Sequence, residues 1–455
     1  MIINIVIITY ENMNKIIFIS IEVQKRELMS KLYLAYLLVK RGYKVVLGDY
    51  VRIHHYALTQ NNGIFMDSHF FGWTREYEKM KNRGFVFIFS DEEALIAGGK
   101  EAYIKQRVDD NNLKMADAVL TWGVEHKQNM ESTLVEKNKI HMVGNPRMDL
   151  LRKDMRGLWK SEIEQYEKKY GKYILVNTSF SYATQENAYE NEKRNLEQML
   201  HRADAGIKVL KEQVDQFKNT YIKFVEGIKY LAENVKETIV VRPHPNEDIM
   251  IYKEHFKIYK NVHVICNGDV NAWIMGAKVV IHNSCTTGVE SFVSEIPIIA
   301  YEPDGLVCFE NAISNVLSLE VRSKAELVKE VEWLYSRRTE KEIREKYFGD
   351  SKYEKLREHV WVDPQEKSVE KIASVIDTFK VQGEIKVSTW DKIIFTAKDY
   401  AHYILRKKNK DYKWTDINCR VLKRKLKKIE NAIQDNTQIE VLPLKYRIYL
   451  LEREN

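Results

Sequence analysis

The chain opens with KIIFISIEV from Lys15, follows it with RELMSKLYLAYLLVKRG, whose apolar residues recur at i, i+3 and i+4, and then runs into YKVVLGD. Strand, helix, strand in so short a span reads as a βαβ unit, whose crossover helix lets two strands pair in parallel and covers one face of their sheet. Gly42 is the natural stop for that helix, since it enters a left-handed conformation at no steric cost. The rhythm returns at GFVFIFSDEEAL, ADAVLTWG and KIHMVGNPR, which predicts a parallel α/β domain over residues 15–150.

A second series starts at KYILVNTSF after charged helical sequence from Leu150 to Tyr170. It continues through a charged helical stretch from about Asn187 to Asn234, then ETIVVRPHP, NVHVICNGD, AKVVIHNSCTTG and IPIIAYEP, with helical sequence over 322–380. The reading is α/β: two Rossmann-like doubly wound domains, 15–150 and 170–380, facing a cleft with ligands at the carboxyl ends of the strands. A length of 455 residues, 44% of them hydrophobic, agrees with two cores rather than one. The four cysteines are scattered without a CxxC pair, so neither a zinc site nor a disulfide framework is indicated, and a reducing cytosol is the simplest compartment. Glu11 and the asparagines beside it interrupt the apolar start, which is too short to span a bilayer, and Met1 to Asn14 reads as an appendage.

The net charge of +7 has an address. From Lys398 to the end there are 15 Lys/Arg against 8 Asp/Glu, and the rest of the chain holds 57 of each. Residues 390–455 are expected to form a basic helical extension, because YILRKKNKDYKW and RVLKRKLKKIENAI alternate cations with apolar residues at helical spacing. A solvated basic helix is the plain reading. The functional one is an anionic membrane surface, with the protein peripheral on the inner face of the cytoplasmic membrane and no nucleic acid expected.

Two corners of the second series carry chemistry. In TIVVRPHPNED a strand ends at Arg242, with Pro245 expected in the first turn of a helix, so that Arg242 and His244 face an anion at the helix start. In KVVIHNSCTTGVESF the loop Ser284, Cys285, Thr286, Thr287, Gly288 offers hydroxyls and close backbone approach to a phosphate, with Glu290 placed to accept from ribose hydroxyls. Pairing of Arg242 with an acid, capping by His244 and ordinary N-caps at Ser284 or Thr286 are the plainer alternatives. Together the corners suggest a nucleotide site, to which Asn177 and Thr178, after the first strand of this half, are weaker additions.

The first half offers Asp91, Glu92 and Glu93 directly after a strand. Adjacent carboxylates repel one another, which raises proton affinity and suits one of them, Glu92 by preference, to proton transfer or nucleophilic attack. An acid-rich helix start is the alternative. Glu22, Arg26 and GNPRMD (Gly144 to Asp149) are lesser candidates, and no HExxH or paired-aspartate pattern suggests a metal.

The combination IEVQKRELMSKLYLA, DEEAL, GNPRMDLL, YILVNTSF, RPHP and IHNSCTTGVESF with PIIAYEP resembles the bacterial surface carbohydrate biosynthesis proteins over about residues 15–380. That family is similar to GT-B glycosyltransferases using CMP-activated sugars such as Kdo and nonulosonic acids. The resemblance implies His244 and Pro245 as a CMP-binding pair, Ser284 to Thr287 as a phosphate loop, and Asp91 to Glu93 as the acidic motif, with Ala94 where a glycine is usual. It implies transfer of an acidic sugar from a CMP donor to a glycan or glycolipid acceptor in surface polysaccharide synthesis, with no cofactor and no metal strictly required. The alternatives are a CDP-polyol phosphotransferase of teichoic-acid type and a non-catalytic nucleotide-binding scaffold.

Overall fold

The structure is a computed structural model describing residues 15–69, 71–95, 100–184, 204–303, 312–363, 365–385 and 417–454, with positions 190, 390, 393–394, 396–398, 401 and 414. The expected appendage, Met1 to Asn14, lies outside the described residues, as does most of the span from 185 to 203. The strands, in chain order, are β1 (Lys15–Ile21), β2 (Tyr43–Asp49), β3 (Gly63–Asp67), β4 (Phe85–Ser90), β5 (Ala118–Thr121), β6 (Ile140–Met142) and β7 (Ile174–Asn177). They continue with β8 (Ile239–Arg242), β9 (Val262–Val264), β10 (Val279–His282), β11 (Ile298–Tyr301), β12 (Leu319–Val321), β13 (Ile439–Lys445) and β14 (Ile448–Arg453).

Two compact units result: Met1–Leu150 with Val360–Asn455, and Leu151–His359. In the first, the sheet runs β13-β14-β2-β1-β3-β4-β5-β6. Six strands are parallel in the order 2-1-3-4-5-6, and the order reverses between β1 and β3. In the second, the sheet runs β12-β11-β10-β7-β8-β9, all parallel, reversing between β7 and β10. Both are doubly wound Rossmann-like orders, and two such units in tandem are the make-up of the GT-B fold. The central strands are mostly apolar because helices cover parallel sheets on both faces: β7, β10 and β11 are buried at every position.

The return of the chain to the first unit differs from the expected domain boundary at 380. Trp361 N donates to Trp122 O at 2.6 Å, and the Asp149 carboxylate caps the helix Ser368–Asp377 by accepting from Ser368 N (3.0 Å) and Val369 N (2.9 Å). GNPRMD is therefore a docking device: Gly144 has φ 82°, and a Cβ there would lie 2.5 Å from Ser368 Oγ and Trp361 O.

Of the expected basic helical extension over 390–455, the described residues 417–454 pack as part of the first unit instead. The helix Cys419–Ile433 buries Leu422, Leu426 and Ile429 against the helix Gln24–Lys40 and β13, and residues 439–453 form a hairpin whose β14 pairs antiparallel with β2. Cation counting missed this because VLPLKYRIYLLER, beyond the basic run, is an apolar strand pair. The hairpin covers the open edge of β2, and Pro443 lies on β13, the new edge strand, where a missing N–H costs no ladder bond. Among the described residues, no helix is long and apolar enough to cross a membrane.

Candidate functional site

In the second unit, register brings three strand ends level. Asn177 lies opposite His282 on one side and Arg242 on the other, so the loops after β7, β8 and β10 leave the same edge at the point where the strand order reverses. Two hydrogen-bonded ties join them. Ser179 Oγ donates to Asn283 O at 2.7 Å, and the buried Glu247 carboxylate accepts from Thr178 Oγ1, Phe180 N and Tyr252 Oη. Burial raises the proton affinity of Glu247 above the ordinary carboxylate value.

The RPHP corner departs from expectation in two respects. Pro245 does not open a helix; Glu247 N donates to His244 O at 2.8 Å, making a β-turn with Pro245 at its second position, and the next helix, Ile249–Phe256, is capped by Asp248. Two residues thus separate Pro245 from the cap. His244 is exposed, and its Nδ1 accepts from Asn246 N at 3.2 Å, which leaves the proton on Nε2. Arg242 turns the other way, donating to Asn267 O (2.6 Å) and Gly268 O (3.3 Å) with its guanidinium 5.4 Å from the Trp273 ring centroid. These bonds anchor the loop after β9.

In the second corner, Ser284 has a left-handed φ of 50°. Its Oγ donates to Glu302 Oε1 at 2.9 Å and accepts from Asn315 Nδ2 at 2.8 Å, bonds that hold a conformation serine rarely adopts. Glu302, at the end of β11, is fully buried, and burial raises its proton affinity. Thr286 and Thr287 are half-buried at the start of the helix Thr287–Val293, and Thr286 makes no side-chain cap. Gly288 does not open space for a ligand: a Cβ would lie 2.7 Å from His282 Nε2, so its missing side chain makes room for that ring. Glu290 is 6% exposed on the same helix.

In the first unit the order reverses between β1 and β3, and a charged network fills the carboxyl edge there. Lys31 Nζ, 5% exposed, donates to Ser20 O (2.8 Å), Glu27 Oε2 (2.7 Å) and Ser68 Oγ (2.6 Å) and lies 3.4 Å from Glu92 Oε1. Asp91 accepts from Arg107 through Nε (3.1 Å) and Nη2 (2.5 Å), from Tyr103 Oη (3.0 Å) and from Glu93 N (2.9 Å). Although burial works against the charge, the Arg107 guanidinium and these bonds hold Asp91 below the ordinary carboxylate value. Glu93 pairs with Arg26 and Arg107, and Glu92, 5% exposed, meets Lys31 and, at 3.4 Å, Asn145 Nδ2. Each acid of the triplet therefore has its own cation, and mutual repulsion, the expected source of a raised proton affinity, is offset.

Sequence reading passed over His69. It follows β3 at the same reversal, is 6% exposed, places Nε2 3.1 Å from Glu22 Oε2 and leaves Nδ1 buried without a hydrogen-bond partner among the described atoms. Tyr50 and Phe71 meet its ring edge-on. Lys31, Arg107, Glu247, Glu302 and Asn315 were missed as well. Helical Lys and Arg are common, and only the tertiary partners of these residues distinguish them. Among the described residues, no group of three or more His, Cys, Asp or Glu is arranged to hold a metal ion.

No protein-family model matches the chain, and no curated protein matches it in sequence. Among solved structures, the Methanocaldococcus jannaschii UDP-GlcNAc 2-epimerase in complex with UDP-GlcNAc and UDP is similar over 80% of this chain and 100% of that one (TM-score 0.45, 12% identity). The wall teichoic acid polymerase TagF with CDPG is similar over 81% of this chain and 89% of that one (TM-score 0.47, 12% identity). Anabaena Alr3699/HepE in complex with UDP and glucose is similar over 80% of this chain and 100% of that one (TM-score 0.41, 9% identity). Likeness at this level carries no chemistry, and the fold rests on the strand orders.

Proposed function

We propose that the chain is a glycosyltransferase whose second unit holds a nucleotide-activated donor at the carboxyl edge of β7, β8 and β10. The observation that carries the reading is the set of ties at that edge, Ser179 to Asn283 and Glu247 to Thr178, which join the loop bearing His244 to the loop bearing Ser284, Thr286 and Thr287. Around it, Asn177 Nδ2, Asn283 Oδ1, Glu302 Oε2 and Asn315 Oδ1 are buried without hydrogen-bond partners among the described atoms. Folded proteins leave few such atoms, so a polar ligand or ordered water at this edge fits them.

The finer reading, a CMP-linked acidic sugar of Kdo or nonulosonic type passed to a glycan or glycolipid, rests on the resemblance of the motifs. As the anomeric bond breaks, negative charge grows on the departing cytidylate. His244, with Nδ1 occupied by Asn246 N and the proton on Nε2, offers it a donor without having to be protonated. For the acceptor hydroxyl we assign the proton to His69 Nδ1, with Glu22 orienting the ring, and give the triplet the role of fixing Arg26, Arg107 and Lys31.

A thermal-shift screen of the full chain with CMP, CDP, UMP, UDP and GDP tests the donor class. A ligand at a hundred times its Kd adds about 2.7 kcal/mol, a shift of several degrees. The expected result is stabilisation by CMP or CDP that His244→Ala removes. No shift with any nucleotide overturns the reading, and preference for UMP or UDP overturns its cytidine part. With the donor in hand, His69→Gln should lower turnover about 100-fold while leaving the nucleotide shift intact. If Glu92→Gln does so instead, the base is Glu92. Appearance of donor phosphorus in the product would establish the polyol-phosphate alternative.

A further inference from the structure

The expectation of a membrane-facing tail rested on two basic stretches; the first, YILRKKNKDYKW, lies outside the described residues except for Trp414. The apolar stripe of the helix Cys419–Ile433 is consumed in packing: Leu422 and Ile429 are fully buried and Leu426 is 5% exposed. Upstream, Trp390, Ile393 and Ile394 are helical and 74%, 57% and 44% exposed. The other exposed large apolar side chains among the described residues are scattered singly through both units, which is ordinary, whereas these three fall within five positions at i, i+3 and i+4. Ala397 and Ala401, also helical and exposed, continue the same face.

Charge identifies the occupant. Between residues 390 and 413 the sequence holds seven Lys/Arg against three Asp; Lys398 is exposed beside the stripe, and five of the cations follow at 406–413, outside the described residues. A tryptophan and two isoleucines on one face of a helix in a cationic stretch match an anionic bilayer surface. Apolar side chains enter the headgroup boundary there, the indole sits at the interface, and the cations meet lipid phosphates. We propose that the helical segment containing Trp390, Ile393 and Ile394 is an in-plane anchor that holds the first unit on an anionic phospholipid surface. This does not depend on what the second unit binds.

The test is co-sedimentation of the full chain with phosphatidylcholine vesicles, with and without phosphatidylglycerol. A triple variant (Trp390→Ala, Ile393→Ala, Ile394→Ala) is compared with the parent. Because the three side chains are exposed, the variant should keep the parent's thermal midpoint. Support consists of binding that requires phosphatidylglycerol, weakens as salt rises, and falls about tenfold or more in the variant. A blue shift of tryptophan emission on vesicles that Trp390→Phe abolishes would place the indole in the interface. Equal binding by parent and variant overturns the proposal, as does equal binding to neutral vesicles or a parent left in the supernatant. A parent that ignores vesicles but dissociates on substitution assigns the stripe to contact between copies of the chain, which also overturns it.

Discussion

His126 and His282, one in each unit, are wired alike. Each is buried, each accepts a backbone N–H at Nδ1 (from Trp122 and Cys285, both at 3.2 Å), and each therefore carries its proton on Nε2. Nε2 reaches a hydroxyl at 2.8 Å, Tyr103 Oη or Ser318 Oγ, and that hydroxyl donates onward to Asp91 Oδ2 or Ser314 O. Burial pushes their pKa values down to about 4 and about 3. The unfolded chain then binds more protons than the folded one below about pH 6.5, so stability falls on acidification from there, by about 1.4 kcal/mol per pH unit for each histidine. Denaturant unfolding between pH 7 and 4 should show that slope, and His282→Asn should flatten it; an unchanged slope in the variant rejects the assignment. Asp91 works in the opposite sense to a catalytic base, since its charge is part of the fold. Asp91→Asn removes the more buried of the two carboxylates that hold Arg107, leaving Glu93, and is expected to cost about 3 kcal/mol, measured by denaturant unfolding, so loss of activity in that variant would carry no catalytic information. A cost within experimental error would remove Asp91 from the structural role.

At the scale of elements, local signals named most of the pieces. The β1, helix, β2 alternation and the stop at Gly42 (φ 86°) are set by periodicity and glycine, and both were read correctly. β3, GIFMD, was missed because five residues give too short a pattern, and β12, LEV, for the same reason. The start of the helix after RPHP was misplaced because proline suits a turn's second position as well as a helix's first turn, and only Asp248 accepting from Met250 N decides between them. The hairpin β13-β14 carries the largest energetic consequence. Leu442, Leu444, Ile448 and Leu450 join the core that contains Phe18, Val46 and Phe65, at roughly 1.5–3 kcal/mol each. Their sum is comparable to a domain's whole stability. Truncation after Asp435 should therefore abolish cooperative unfolding of the first unit in circular dichroism, and a truncated chain that melts like the parent would contradict the pairing with β2. Point variants, not tail deletions, are the proper probe of the membrane anchor.

For the whole molecule, tandem doubly wound units place chemistry at strand ends where order reverses, and each unit has such a point. Hydrogen exchange of the full chain with saturating CMP should slow the amides of Phe180, Glu247 and Cys285 and leave the β1–β6 strands unchanged. Protection confined to 91–93 would move the nucleotide to the first unit. Local sequence sets the alternation of strand and helix, the parallel strands of both units, and the residues His244 and Ser284 to Thr287 at strand ends, because periodicity and turn chemistry act over a few neighbouring residues. Tertiary structure alone decided that Arg242 anchors the loop after β9, that Glu302 holds Ser284, that His69 meets Glu22, and that residues 439–453 close the first sheet. These pairings join residues from different loops and elements, most of them far apart in the chain. A long-range contact is selected by the energy of the assembled core, and no local pattern encodes it.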